Sequence, residues 1–329
     1  MKSLLLMLAS MFTLAAHAAP SPTTAVCPDM ACFIERESAG DPALRAEWES
    51  FFAQTQYRDN IIRIMNRPGT SRPWYAFRAN NVAGGQIDEG IAFYQENRAL
   101  VEKIAQRYGV PGEVLVAVLG IETRYGRNTG SFRVADVLST LAFAYPKRAE
   151  FFQSELREFW HMSRELGRDP FQFTGSYAGA MGMPQFMPSS YRKWAADGDG
   201  DGFADIWQSK ADALASIAHY LKIHGWQSGG AIRVAVSLNP TPELNALAEQ
   251  KTAMTRTAGD FRRMGVNVPS SVGAHEAAVL YRLETAPDEY HYALGLNNFY
   301  AIWQYNHSRL YVEAVTQIAE GIRAGRLKP

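Results

Sequence analysis

Val114-Leu115-Val116-Ala117-Val118-Leu119-Gly120-Ile121 runs directly into Glu122-Thr123-Arg124-Tyr125-Gly126. Eight consecutive residues without a polar group describe a helix buried on nearly all sides. Pro111-Gly112-Glu113 opens it with a proline and an acid in the first turn, and Gly126 is a natural stop. Such a helix needs other elements packed around it, and the flanking sequence provides them. Residues 33–66 space Phe33, Trp48, Phe51, Ile61 and Ile64 at nearly helical intervals, and residues 86–108 place Ile91, Tyr94, Leu100, Val101 and Ile104 on one stripe. Trp74 to Arg78, beyond the break at Pro68-Gly69, is expected to be extended. Residues 135–166 read as two helices broken near Pro146, and Ala211–Ile223 as another. After Gly229 the pattern alternates, as in Ala277-Ala278-Val279-Leu280-Tyr281-Arg282-Leu283, predicting a small antiparallel sheet with a helical insert around 242–264. Asn298 to Arg326 returns to helix. The expected class is mainly α, formally α+β: a helical body with a small antiparallel β domain.

The 329 residues suggest about two domains or one large composite fold. Equal numbers of basic and acidic side chains, 33 of each, exclude a strongly basic body that wraps nucleic acid. Residues 1–18 read as a signal peptide: Lys2, an apolar run from Leu4 to Ala15, and Ala16-His17-Ala18 before a cut at Ala19. No later segment holds 18 consecutive apolar residues, so a soluble, exported, periplasmic protein is expected. Cys27 and Cys32 then face an oxidising compartment and are expected to pair, pinning the N-terminus by a short loop that removes little chain entropy. A lipid anchor on Cys27 is not expected, because branched Val26 precedes it and it lies far beyond the apolar run. The remaining boundaries are expected at 19–110 (N-terminal helical region), 111–229 (core with acidic loop), 230–297 (β domain) and 298–329 (C-terminal helical segment packing back on the N-terminal region).

Glu122 carries the chemistry. A carboxylate at the end of an apolar helix is poorly hydrated, and desolvation raises its pKa. A carboxyl that keeps its proton near neutral pH can serve as a general acid. The competing reading turns Glu122 to solvent or pairs it with Arg124 or Arg127. Acid catalysis on a glycosidic bond usually needs a second carboxylate. Asp136 reads instead as a helix N-cap, and Glu150 and Glu155 as solvated helix faces. With no partner in view, a one-carboxylate mechanism remains, in which the substrate supplies the nucleophile.

Two loops add ligand chemistry. Asp197-Gly-Asp199-Gly-Asp201-Gly202-Phe203-Ala-Asp205 matches the first nine positions of a calcium-binding loop, with the Phe203 carbonyl at position 7. Gln208 stands at position 12 in place of the usual Glu, and Asp212 can close a longer loop. The expected ion is structural Ca²⁺, with no cofactor for catalysis. Upstream, Gly175 to Pro188 lets backbone approach a ligand, and Ser176 and Gln185 can hydrogen-bond an extended polar one. Its methionines read as core filler. The seven histidines form no catalytic or zinc-binding spacing.

Gly120-Ile-Glu-Thr-Arg-Tyr-Gly126, Gly175-Ser-Tyr-Ala-Gly-Ala-Met-Gly-Met-Pro-Gln-Phe-Met-Pro-Ser189, the Asp loop and His224-Gly-Trp226 together resemble the B-type lytic murein transglycosylases of bacterial cell-wall metabolism. The similarity runs from about Phe33 to Val315 and includes Trp74…Phe77-Arg78 and Tyr305-Asn306. It implies a lysozyme-like catalytic core in a mostly helical protein, acting on the peptidoglycan glycan strand. The implied reaction cleaves the β-1,4 bond between N-acetylmuramic acid and N-acetylglucosamine without water and leaves a 1,6-anhydro-muramyl end. Glu122 would act first as acid and then as base, with the substrate acetamido group stabilising the intermediate. The resemblance also implies a glycan cleft formed by Ser176, Gln185, Tyr220, Tyr305 and Asn306, and contact of Arg148 with the peptide stem. The implied calcium ligands are Asp197, Asp199, Asp201, the Phe203 carbonyl and Asp212. Pro184, where many members have Gly, and Phe77, where Tyr is common, are departures. A water-using muramidase and a non-catalytic wall-binding protein on the same scaffold are the alternatives.

Overall fold

A computed structural model describes residues 26–66, 72–82, 85–250 and 252–327; the expected signal peptide lies outside them. Three short helices, α1 (Met30–Ser38), α2 (Pro42–Gln54) and α3 (Asp59–Met65), occupy the first region. Asp29 caps α1 by accepting from Cys32 N, and Asp41 caps α2. Cys27 and Cys32 are disulfide-bonded. Gln153 ties that loop inward, accepting from Cys27 N at 3.0 Å and donating to Cys27 O at 2.7 Å.

Trp74 to Arg78 is helical, not extended: α4 spans Trp74–Asn81. Pro73 fixes the chain at its start, and Trp74 and Phe77, three residues apart, stack at 6.0 Å on one face. The helices α5 (Gln86–Glu96), α6 (Arg98–Tyr108) and α7 (Gly112–Thr123) follow. Val114 to Leu119 are each at most 1% exposed, so α7 is the buried axis. Each such Val or Leu contributes roughly 1.5–3 kcal/mol by leaving water.

A two-stranded ribbon, β1 (Phe132–Arg133) with β2 (Thr174–Gly175), brackets α8 (Val134–Ala144) and α9 (Ala149–Glu165). Asp136 is not the N-cap of α8; Arg133 occupies that place. Asp136 is buried in the first turn and accepts from Gln56 N and from Arg58 and Arg133. Burial works to raise its pKa, but those hydrogen bonds outweigh it and hold the carboxyl below its usual range. Glu155 is also buried rather than solvated. It accepts from Ser189 N at 2.9 Å and Ser189 Oγ at 2.6 Å, bracing the start of α10 (Pro188–Trp194). Glu150 is exposed.

Helix α11 (Lys210–Ile223) packs against α6 and α7. Beyond it, β3 (Arg233–Val236), β4 (Arg256–Thr257), β5 (Ala277–Ala286) and β6 (Glu289–Gly295) form an antiparallel sheet in the order β3-β6-β5-β4. The helices α12 (Pro242–Glu249) and α13 (Ala258–Arg263) lie within it in sequence and share its own apolar cluster around Leu244, Phe261, Leu280 and Leu294. The chain returns through α14 (Asn297–Asn306) and α15 (Arg309–Arg326), and α15 packs along α5 and α7. The class is mainly helical with small antiparallel sheets, as the sequence pattern predicts.

Candidate active site

Glu122 occupies the last turn of α7, half-buried, and the local sequence explains how the helix ends beside it. Thr123 Oγ1 donates to Met183 O at 2.9 Å, and Gly126 N donates to Thr123 Oγ1 at 3.0 Å. Arg124, Tyr125 and Gly126 then take left-handed conformations with φ of 51°, 62° and 85°, which terminates the helix. Two of these residues carry side chains, and such a turn survives only where its surroundings hold it. Tyr125 does so by folding back along α7 and donating to Gln86 O at 2.6 Å. Gly120 makes room, since a Cβ there would lie 2.6 Å from the Tyr125 ring.

A cavity of about 510 Å³ opens over Glu122. It is lined by residues 127–132 and by Ser176, Tyr177 and Gln185. Gly130 lets two chain segments cross in its wall: its φ is +91°, and a Cβ would meet Gly175 backbone at 2.2 Å. Gln185, at φ 53°, donates through Nε2 to Thr129 O at 3.1 Å and Gly182 O at 3.0 Å. Ser176 Oγ accepts from Ala178 N and Ala180 N, so its own proton faces no partner in that turn.

Behind Glu122 stands a group of rings. Tyr311 is 2% exposed and donates to Glu122 Oε1 at 2.6 Å. Its ring lies nearly parallel to Tyr305 at 6.2 Å, and Tyr305 meets Tyr220 edge-on at 4.8 Å. Tyr305 donates to Pro184 O at 2.6 Å and Tyr220 to Gln304 O at 2.8 Å. Burial raises the Tyr305 and Tyr311 hydroxyls well above their usual range, aided by the charge of Glu122, and pushes Tyr220 up to about 12. These phenols stay neutral. Burial likewise raises the Glu122 carboxyl to about 7, against a smaller lowering by the Tyr311 hydrogen bond. Its place at the negative pole of α7 acts in the same direction as burial. Glu122 pairs with neither Arg124 nor Arg127; both guanidiniums turn to Glu89 on α5.

The cavity therefore brings Glu122, Ser176 and Gln185 together, with Tyr305 and Tyr220 in the ring cluster beside them. Asn306, exposed at the end of α14, and Arg148, whose guanidinium lies 4.1 Å from the Phe151 ring centre, are outside its lining. Tyr311 is the residue that sequence reasoning missed. Its only signal is a phenol on the buried stripe of α15, where a hydroxyl requires a partner.

In the acidic loop, carboxylate oxygens of Asp197, Asp199 and Asp201 lie within 4.8 Å of one another. Three acids converging at alternate positions suit a hard cation with oxygen ligands. Asp197 accepts from Gly200 N and Gly202 N, which holds its carboxyl below the usual range. Asp212 is fully buried beneath the loop, outside that cluster. Its oxygens accept from Gly198 N and Asp205 N, both at 2.7 Å, so it braces both ends of the turn. Gln208 N donates to Asp205 Oδ1.

A family model described as a transglycosylase SLT domain matches residues 28–320. The membrane-bound lytic murein transglycosylase B of Escherichia coli (strain K12) is 35% identical over 294 residues, covering 86% of this chain and 80% of that protein. The soluble lytic transglycosylase SltB1 from Pseudomonas aeruginosa superposes with a TM-score of 0.83 at 36% identity, over 91% of this chain and 99% of that one. The Escherichia coli lytic transglycosylase Slt35 in complex with calcium gives 0.80 at 33% identity, over 92% and 94%. The matched sequence, the shared fold and the order of the motifs agree: the chain belongs to the SLT-domain transglycosylase family, among its B-type lytic murein transglycosylases.

Proposed function

We propose that this enzyme cleaves the β-1,4 bond between N-acetylmuramic acid and N-acetylglucosamine in peptidoglycan by intramolecular transglycosylation, with Glu122 as the single acid and base. One observation carries this reading: Glu122 is the only carboxylate among the described residues lining its cavity, and burial raises its pKa to about 7, so a large share holds its proton near neutral pH. Inverting and retaining hydrolases canonically use a second carboxylate about 5–9.5 Å from the first.

Glu122 Oε1 is engaged by Tyr311, leaving Oε2 to carry the proton. Oε2 gives it to the departing O4 of N-acetylglucosamine as the C1–O4 bond breaks. The muramyl acetamido oxygen closes on C1 and holds the positive charge. The Glu122 carboxylate then takes the proton of the muramyl 6-hydroxyl, whose oxygen bonds to C1 and releases the acetamido group. Glu122 ends protonated, and no water is consumed. Ser176 and Gln185 orient the strand, Tyr220 and Tyr305 support the floor, and Asn306 and Arg148 meet more distant parts of the substrate.

The structural ion we assign to the acidic loop is Ca²⁺, held by Asp197, Asp199, Asp201 and the Phe203 carbonyl. The convergence of the three carboxylates supports this, as does the calcium complex of the similar Slt35. Asp212 keeps a lone pair on each oxygen after bracing the loop and is the remaining ligand of the proposal. The ion supplies charge balance to the loop and takes no part in the chemistry.

We further place the enzyme in the periplasm, with residues 1–18 as its signal peptide, 111–229 as its catalytic core and 230–297 as a β domain. The Cys27–Cys32 disulfide supports export. Among the described residues, no helix is long and apolar enough to cross a membrane. Mass spectrometry of murein digested by the purified enzyme tests the reaction. Muramyl ends lighter by one water are expected. Reducing muramyl ends would overturn the reading in favour of a hydrolytic muramidase.

A further inference from the structure

Besides Glu122, the cavity lining contains one other charged side chain among the described residues, Arg127. It lies three residues after Arg124, the left-handed residue that caps α7, so its position follows from the helix end. The Arg127 side chain is 58% exposed and donates to Glu89 Oε2. Glu89 is already held by a fork from Arg124, whose Nε donates to Oε2 at 3.0 Å and whose Nη2 donates to Oε1 at 2.7 Å. One carboxylate thus serves two guanidiniums, and the cleft rim carries one uncompensated positive charge. Arg124 alone suffices to satisfy Glu89. Exposed ion pairs of this kind hold weakly, so Arg127 is free to exchange its partner.

The substrate class assigned above has matching chemistry. Its sugar backbone is neutral, and its anions are carboxylates on the muramyl substituent: the lactyl carboxyl where the peptide has been removed, or those of the peptide stem where it remains. A guanidinium fork fits a carboxylate with two parallel hydrogen bonds. We propose that Arg127 is the carboxylate receptor of the cleft, leaving Glu89 to Arg124 and taking a carboxylate of the muramyl substituent when a strand binds. The inference rests on the peptidoglycan reading. It makes Arg127 a specificity determinant, distinct from Arg148, which lies outside the cavity against Phe151.

The test crosses two charges. Steady-state cleavage by the wild type and Arg127→Ala is measured on native strands and on strands whose carboxylates have been converted to neutral amides by carbodiimide and ammonia. Arg127→Ala should lose about tenfold in kcat/KM on native strands, chiefly through KM. The wild type on amidated strands should fall by at least that factor, and the variant should fall there about tenfold less than the wild type, since any carboxylate met by Arg148 is lost to both. Arg127→Lys should fall between the two, keeping the charge but not the fork. Equal kcat/KM for wild type and Arg127→Ala on native strands overturns the proposal. So does a loss on amidation by the variant equal to that of the wild type, which marks a structural role. Strands trimmed of peptide by an amidase distinguish the sources: a full Arg127→Ala loss there assigns the lactyl carboxyl, and a loss confined to peptide-bearing strands assigns the stem. Failure of the wild type to cut native strands would remove the peptidoglycan reading itself, a result separable from all of these.

Discussion

Tyr311 and Glu122 stand 189 residues apart in sequence, yet the phenol donates to the carboxyl Oε1 at 2.6 Å. Two effects on that carboxyl oppose each other. Burial favours the protonated acid, whereas the hydrogen bond favours the carboxylate. A group that must both give and take a proton benefits from that balance, because neither form is overwhelmingly preferred.

Replacing Tyr311 by Phe removes the hydrogen bond that lowers the Glu122 pKa. The alkaline limb of kcat/KM, set by loss of the acid proton, should move up by roughly one pH unit, the size expected from a charge-assisted hydrogen bond of about 1.5 kcal/mol. A pH profile on soluble glycan strands measures this. A limb that stays in place would show that the phenol does not tune the acid.

Glu122→Gln should bind strands but lose about a thousandfold in kcat, within the range for a general acid. It should also show the cost of the native acid. The folded pKa of about 7 lies above the ordinary value of 4.5, so protonation favours the fold. That stabilisation is complete below about pH 4.5 and is lost as pH rises through about 7, where up to ~3 kcal/mol is forgone. The variant should therefore melt above the wild type at pH 8, and the difference should close at pH 4. Parallel melting curves at both pH values would contradict it.

Calcium at about a hundred times its Kd should raise the melting temperature by roughly 5 °C. Asp201→Ala should abolish that rise. Thermal melts in chelator and in millimolar Ca²⁺ provide the comparison, and identical curves for the wild type would remove the ion from the account.

Gly130→Ala should lower stability by about 2 kcal/mol or more, since its positive φ and the crossing with Gly175 both resist a side chain. The same displacement would deform the cavity wall and reduce kcat/KM. Calorimetry with a strand-cleavage assay checks both effects.

The parts legible in the sequence were those written locally. The run from Val114 to Ile121 announced a buried helix, the alternation around Leu280 a strand, and the aspartates at 197, 199 and 201 a converging turn. Each depends on a short-range period. Glu122 was legible because its polar identity breaks such a run. Tyr311 and Arg127 were not, since their meaning arises only when α15 lies along α7 and when Arg124 has already satisfied Glu89. Glu155 reads as solvated from sequence because nothing near it reveals Ser189. Trp74 to Arg78 reads as extended although it is helical, because five residues are too few for a period to separate helix from strand.

The docking of α15 along α7 has a consequence for a chain made from its N-terminus onward. Glu122 leaves the ribosome 189 residues before Tyr311, and the helix that closes over it is made after the rest of the cavity wall. A truncated or half-synthesised copy carries the acid without its phenol and without the wall that keeps it dry. An acid in that state is open to water and loses the desolvation that raises its pKa, so it should ionise like an ordinary carboxylate.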